Sequence, residues 1–443
     1  MRDILLTFIV VCLVPIIIRR PEFGAYSWAW ISMMNPHQLT YGFAQSIPFA
    51  MIIAILTIGT LILNSRRRPL PINIGVVLLI CLILWMTVTS FFSINDPQLV
   101  WDRWLFVVKI HAMLFVTMML LRDRQQIDRL IWVIVISVGF YGVKGGIWTL
   151  ATGGGMRVWG PRGMLEDNNG LAVGLVIIFP LMYYLYNTSR IRWIRIGLIA
   201  SMLFTAFSIL GSQSRGALLA LLAMALALGL KSKRPIGFTL VMATLVGLAI
   251  GFMPESWFQR MDTIQNYTEE TSAMSRLYIW QTLWNVAVAR PLVGAGFAAD
   301  NAMIFSIYAP AGQIFDIFQE RIWVAHSIYF QALGEHGFPG LILFVLLWAW
   351  IWRAAGRIAK QAEQMNESGK SMLAKRLEID AVCNPYSILK DFIKLCGRNF
   401  RHVSIIYLAN TVERGGCQAV GWSGICRRQR NDILNICACR SDF

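Results

Sequence analysis

Charged residues are scarce in this sequence. Only 14% of its 443 positions are Asp, Glu, Lys or Arg, well under the roughly 25% of an average soluble chain, and that deficit excludes an ordinary solvated globular domain. The signatures of common catalytic folds are missing too. No Walker loop, G-x-G-x-x-G, H-E-x-x-H or G-x-S-x-G occurs, so nucleotide hydrolysis, dinucleotide chemistry and the familiar hydrolases lack their phosphate cradle, metal or nucleophile. There is no D-x-D pair to hold a metal, and the adjacent Glu269 and Glu270 read as a solvated face in a polar loop. Paired C-x2-C knuckles are absent, which argues against a structural zinc site. No small-residue cleavage site follows the first apolar run, so that run reads as a retained span rather than a removed signal peptide.

Apolar residues fill the space that charge leaves. They make up 56% of the chain, with seventeen tryptophans, and they gather in about eleven runs close to the roughly 20 residues a helix needs to cross a bilayer. The runs fall near 4–18, 22–34, 46–63, 74–92, 104–121, 130–151, 169–186, 196–211, 215–230, 236–253 and 338–352. Hydropathy leaves open whether the short first two make one broken span, a re-entrant pair or two tilted helices. The pattern predicts an all-α, polytopic integral membrane bundle of about eleven spans. The formal net charge of +16 does not indicate nucleic acid; the basic residues sit in short clusters between apolar runs, the arrangement that orients spans. Arg66 to Arg68, Arg122 with Arg124 and Arg129, Arg190 with Arg192 and Arg195, Lys231 with Lys233 and Arg234, and Arg353 with Arg357 and Lys360 mark every second connection as cytoplasmic. Residues 93–103, 152–168, 212–215 and the stretch from 254 to about 330 are thereby placed outside.

Four regions follow. Residues 1–253 form the main transmembrane bundle, 254–337 a large external loop, 338–362 a final span with its cytoplasmic flank, and 363–443 a polar tail holding six of the eight cysteines. A loop of that length is usually functional or disordered, and its aromatics argue against disorder. Within it, Leu277, Trp280, Leu283, Trp284 and Ala287 have helical spacing, which predicts an interfacial helix from Ser275 to Ala289, followed by a turn at Pro291, Gly294 and Gly296. For the tail, a metal-binding segment, an ordinary tail of free thiols and a shifted reading frame all stay open.

The residues able to carry chemistry are few. An arginine deep in a span costs roughly 2.5 to 3.5 kcal/mol on insertion scales, so Arg215, at the head of "GSQSRGALLALLAMALALGL", either faces a cavity or snorkels to headgroups. The polar mouth of Ser212, Gln213 and Ser214 and the short connection hold it in place. Arg276 reads either as a headgroup contact or as a ligand contact. His326, beside Ser327, is a satisfied structural histidine or a base, since imidazole accepts a proton near neutrality. Glu335 lies nine residues on, about 180° around an ideal helix, so it cannot share a face with His326 on one unbroken helix. Gly334, Gly337, Pro339 and Gly340 predict a break there, with Glu335 and His336 at a turn or re-entrant tip. Arginines and a base without a metal pair suit a pyrophosphate anion, and neither metal nor cofactor is expected.

Three stretches resemble the O-antigen ligase and polymerase superfamily of bacterial envelope glycosyltransferases. They are "SQSRGALLAL", "SRLYIWQTLWNVAVARPLVGAGF" and "HSIYFQALGEHGFPGL", covering roughly residues 200–350 in the family's order. "RGMLEDNNGLAVGLVIIFPL" is similar to a weaker family segment, and the first 44 residues resemble O-glycosylation ligases associated with exosortase A systems. The resemblance implies a metal-independent, inverting transfer of glycan from undecaprenyl pyrophosphate to an acceptor hydroxyl, on protein or lipid A core, at the periplasmic face of the bacterial inner membrane. It implies Arg215 and Arg276 as pyrophosphate binders and His326 as base. Ser214, Gly294, Gly296 and Glu335 join the substrate-binding set, Glu335 at a recurrent acidic position; His336 has no counterpart. A polymerase extending lipid-linked glycan is the alternative, followed by a lipid-linked sugar transporter, against which stands the lack of an internal repeat of interrupted spans. Where the family continues with further spans, this chain has its Cys-rich tail.

Overall fold

The computed structural model describes residues 1–63, 69–161, 165–231, 271–310 and 324–372, with 247, 251, 253–255, 257 and 258. Helix is the only regular structure among them. In chain order the helices are α1 (Arg2–Arg19), α2 (Glu22–Met34), α3 (Phe49–Leu63), α4 (Ile74–Phe91), α5 (Pro97–Leu120), α6 (Arg124–Ala151), α7 (Asn168–Thr188), α8 (Arg192–Gly211), α9 (Arg215–Lys231), α10 (Thr271–Ala289), α11 (Ala302–Tyr308) and α12 (Ile328–Met372). Among the described residues six helices are long and apolar enough to cross a membrane: α4 to α8 and the part of α12 from Ile328 to Arg357. The chain is a polytopic membrane helical protein. The two short apolar runs at the start become two separate helices, α1 and α2, while the run at 236–253 lies largely outside the described residues, as does the Cys-rich tail beyond 372.

Helix starts follow local chemistry. Asn73 accepts from the Val76 amide at 3.1 Å and opens α4, Asp96 caps α5 just before Pro97, and Asp123 with Gln126 closes a capping box on α6, each supplying a partner to otherwise orphaned amides. Packing between spans needs a different cause. Lipid tails are as apolar as leucine, so helices associate through close backbone approach more than through apolar burial. α6 packs most extensively on α8, and small residues permit it: a Cβ on Gly146 would stand 2.1 Å from the Phe204 carbonyl oxygen. α2 and α7 complete the surroundings of α6, and α4 pairs with α12. One continuous apolar core joins α2, α4 to α9 and α12.

A second, smaller core caps one end. Tyr278, Ile279, Leu283 and Val286 of α10 pack with Ala295, Ala299, Ile304, Phe305 and Ala325. The expected oily face of α10 is therefore divided. Leu283 packs into the cap and Ala287 is buried, whereas Leu277 (44% exposed) and Trp284 (48% exposed) face outward. The helix is apolar on two flanks, one meeting the protein cap and the other, with Leu277 and Trp284, exposed.

The expected break in the last span is a single residue. Gly337 has φ 67° and ψ −171° inside α12, a region open essentially to glycine alone. A Cβ there would also stand 2.4 Å from the Leu292 carbonyl oxygen. Gly337→Ala is expected to destabilise by about 2 kcal/mol or more, from strain of order 1–3 kcal/mol plus the clash, read as a melting temperature in detergent lowered by several degrees.

Candidate active site

The four connections assigned to the outside meet at one end of the bundle. The Val158 amide donates to the Gly211 carbonyl at 3.0 Å, Asn168 donates from Nδ2 to the Ser212 carbonyl at 2.8 Å, and the Ile94 amide donates to the Ala295 carbonyl at 3.2 Å. Here α9 begins. Ser214 is buried and its Oγ accepts from the Ala217 amide at 3.3 Å, capping the helix that Arg215 opens. Gln213, with φ 55°, makes the sharp turn before it and accepts from Arg157 Nε at 3.1 Å. The Arg215 side chain lies outside the described residues.

Arg276 and His326 lie near one another on the rim of the cap. Trp280 donates its indole N–H to the Ala325 carbonyl at 2.7 Å and stacks on Phe330 with ring centroids 5.1 Å apart. Trp280 thus pins α10 to the residue before His326, and Arg276, one helical turn earlier, lies on the same side. Both Arg276 and His326 are exposed. His326 has φ 46°, in the left-handed region, an uncommon conformation for a residue with a Cβ and one that recurs at functional sites. It precedes α12 rather than belonging to it, so its direction is set by the turn and not by the helix.

Electrostatics tie this rim to the α7–α9 mouth. His326 is exposed, yet protein walls part of its ring, and that desolvation is the main reason its pKa falls below the ordinary histidine value. The Arg276 charge lowers it further, and the Asp167 carboxylate opposes the shift. Asp167 is the N-cap of α7, accepting from the Asn169 and Gly170 amides at 2.8 and 2.9 Å. Its neighbour Asn168 grips the turn that leads to Arg215. Asp167 and Asn168 thereby connect the surroundings of Arg276 and His326 to the 212–214 turn that leads into α9.

Residues 200–345 match the family model described as O-Antigen ligase. The matched span begins in α8, contains Arg215, Arg276 and His326, and ends in the last span. It supports a membrane, glycan-transferring ligase-type function. Residues 1–190 match a second model, described as Family of unknown function (DUF5935). No curated protein matches the chain.

Glu335, Gly294 and Gly296 form a separate buried joint. Glu335 is 6% exposed, and its Oε1 accepts from the Ala298 amide at 3.1 Å and from Gln331 Nε2 at 3.3 Å. The Ala295 and Gly296 amides donate to the Gly334 and Glu335 carbonyls at 2.8 and 2.9 Å. Gly294 is required there, since with φ 61° a Cβ would stand 2.5 Å from the Gly334 carbonyl oxygen. His336, 2% exposed, meets Thr89 Oγ1 through Nδ1 at 2.7 Å, while its carbonyl accepts from Trp85 Nε1 at 3.0 Å. These bonds lock α12, α4 and the 294–298 turn together, just beyond the turn that carries His326.

Two further features hold the site, the Asp167 cap and the Trp280–Phe330 stack. Asp167 stood in "LEDNNG", a Ser/Thr/Asp/Asn-type cap immediately before an apolar run, so its place was legible while its approach to His326 was not. The Trp280–Phe330 stack joins residues 50 positions apart in sequence, and nothing local announces it.

Proposed function

We propose that this protein transfers a glycan from undecaprenyl pyrophosphate to an acceptor hydroxyl, on protein or lipid A core, at the periplasmic face of the bacterial inner membrane. The observation carrying this reading is the nearness of Arg276 and His326 on one rim, close enough for the guanidinium charge to act on the imidazole, inside the segment that matches O-Antigen ligase. Departure of the lipid pyrophosphate develops negative charge, which the Arg215 and Arg276 guanidinium groups stabilise as fixed donors. His326, whose neutral form its surroundings favour, takes the acceptor proton as the oxygen attacks the anomeric carbon opposite the leaving group, inverting it. Ser214 caps the first turn of α9, on which Arg215 stands. Gly294, Gly296 and Glu335 serve substrate binding by fixing the rim rather than by touching sugar. The two guanidinium groups supply the charge that a metal would otherwise bring, so the scheme needs neither metal nor cofactor.

Purified protein, a labelled lipid-pyrophosphate glycan and a panel of acceptors, in chelator, test this. Label on protein or lipid A core with inverted configuration is the expected product. A ladder of longer lipid-linked glycans would make it a polymerase, and label crossing vesicles with no new glycosidic bond would make it a transporter.

The base must be neutral to act, so activity falls as pH drops through the His326 pKa. Because that pKa is depressed, the acidic limb should lie below the ordinary value of about 6.5. Arg276→Gln removes a lowering charge and should move the limb up. Asp167→Asn removes a raising charge and should move it down, while retaining an equally good helix cap. Limbs that move together, or not at all, would remove His326 as the titrating group.

A further inference from the structure

At the end of the bundle away from His326, α4 and α12 leave a groove of about 690 Å³. Its walls are Ile74 and Leu78 from α4 and Leu346, Trp350, Arg353, Gly356 and Arg357 from α12. The α12 side chains follow one stripe. Leu346, Trp350, Arg353 and Arg357 are spaced by four, three and four residues, a single helix face, and the stripe changes from apolar to cationic along its length. At 1.5 Å per residue it covers about 16 Å, and the change falls at Arg353 and Arg357, where the span ends. Gly75 keeps the floor closed: the Trp350 ring occupies the place of its missing side chain, 2.1 Å from where a Cβ would be. Ile74 and Leu346 are left exposed above it. No acidic side chain lines the groove among the described residues.

We propose that this groove binds an anionic glycerophospholipid of the bilayer, with its phosphate between Arg353 and Arg357 and an acyl chain along Leu346, Leu78 and Ile74. Charge complementarity selects the occupant. The site opens where a headgroup lies, its inner wall is hydrocarbon, and two guanidinium groups one turn apart can share one phosphate. Basic pockets between spanning helices have this chemistry. A zwitterionic lipid offers the same phosphate with a compensating ammonium and gains less from the pair. The site is independent of glycan transfer.

Native mass spectrometry of the full-length protein, delipidated and titrated with phosphatidylglycerol, cardiolipin, phosphatidylcholine or undecaprenyl phosphate, tests the proposal. The glycerophospholipids of negative charge should be retained and phosphatidylcholine lost. The Arg353→Gln/Arg357→Gln double variant should weaken retention about ten- to thirty-fold, from roughly 1 kcal/mol per basic residue near a lipid surface. Leu78→Trp, which fills the groove and leaves both charges, should also lower it. Unchanged retention in both variants, equal retention of phosphatidylcholine, or retention of undecaprenyl phosphate alone would each overturn the assignment.

Discussion

Replacing His326 by alanine is expected to lower the transfer rate by about 10²- to 10⁴-fold, the usual worth of a positioned base. The backbone supplies the necessary control. His326 sits at φ 46°, a conformation that Asn also tolerates, so His326→Asn keeps the turn and removes the basic nitrogen. Both variants should fold, since the side chain is exposed, and both should lose rate alike. Measured as single-turnover transfer at saturating donor, an asparagine variant near the wild-type rate would assign His326 to the turn and not to the proton. The loss should also be insensitive to pH above neutrality, where the wild-type imidazole is already neutral.

Arg276→Ala and Arg215→Ala should each lower the rate about 10²- to 10³-fold, by analogy with the removal of other preorganised donors from a developing anion. The effect belongs mainly in kcat, because the charge on the leaving oxygen grows towards the transition state and the ground-state diphosphate is already held by the other arginine. Arg276→Ala has a second consequence, raising the His326 pKa, so the comparison must be made on the alkaline plateau. Lysine at either position keeps a point charge but loses the fork that takes two oxygens at once, and should recover only part of the rate. The paired variant should fall by less than the product of the single losses, since the two act on one group. Wild-type kcat in Arg276→Ala on the plateau, at equal expression, would take this residue out of the site.

The sequence by itself determined the solvent and the class of fold. Apolar run length is set by bilayer thickness, a one-dimensional requirement, and the runs from 74 to 211 accordingly became α4 to α8. Caps at Asn73, Asp96, Asp123 and Asp167 are equally local, each acting within three residues of itself. The break near Gly337 was legible for the same reason, as glycine and proline act on their own dihedrals. What α10 buries was only half legible, because helical periodicity marks apolar faces without saying which meets protein and which lipid. The tertiary structure alone decided that Asp167 approaches His326, that Trp280 pins the turn where His326 takes its left-handed conformation, and that Glu335 faces inward to Ala298. Each of these joins residues dozens or hundreds of positions apart, or depends on a turn held by such a contact, and no local pattern encodes the angle at which two remote segments come together.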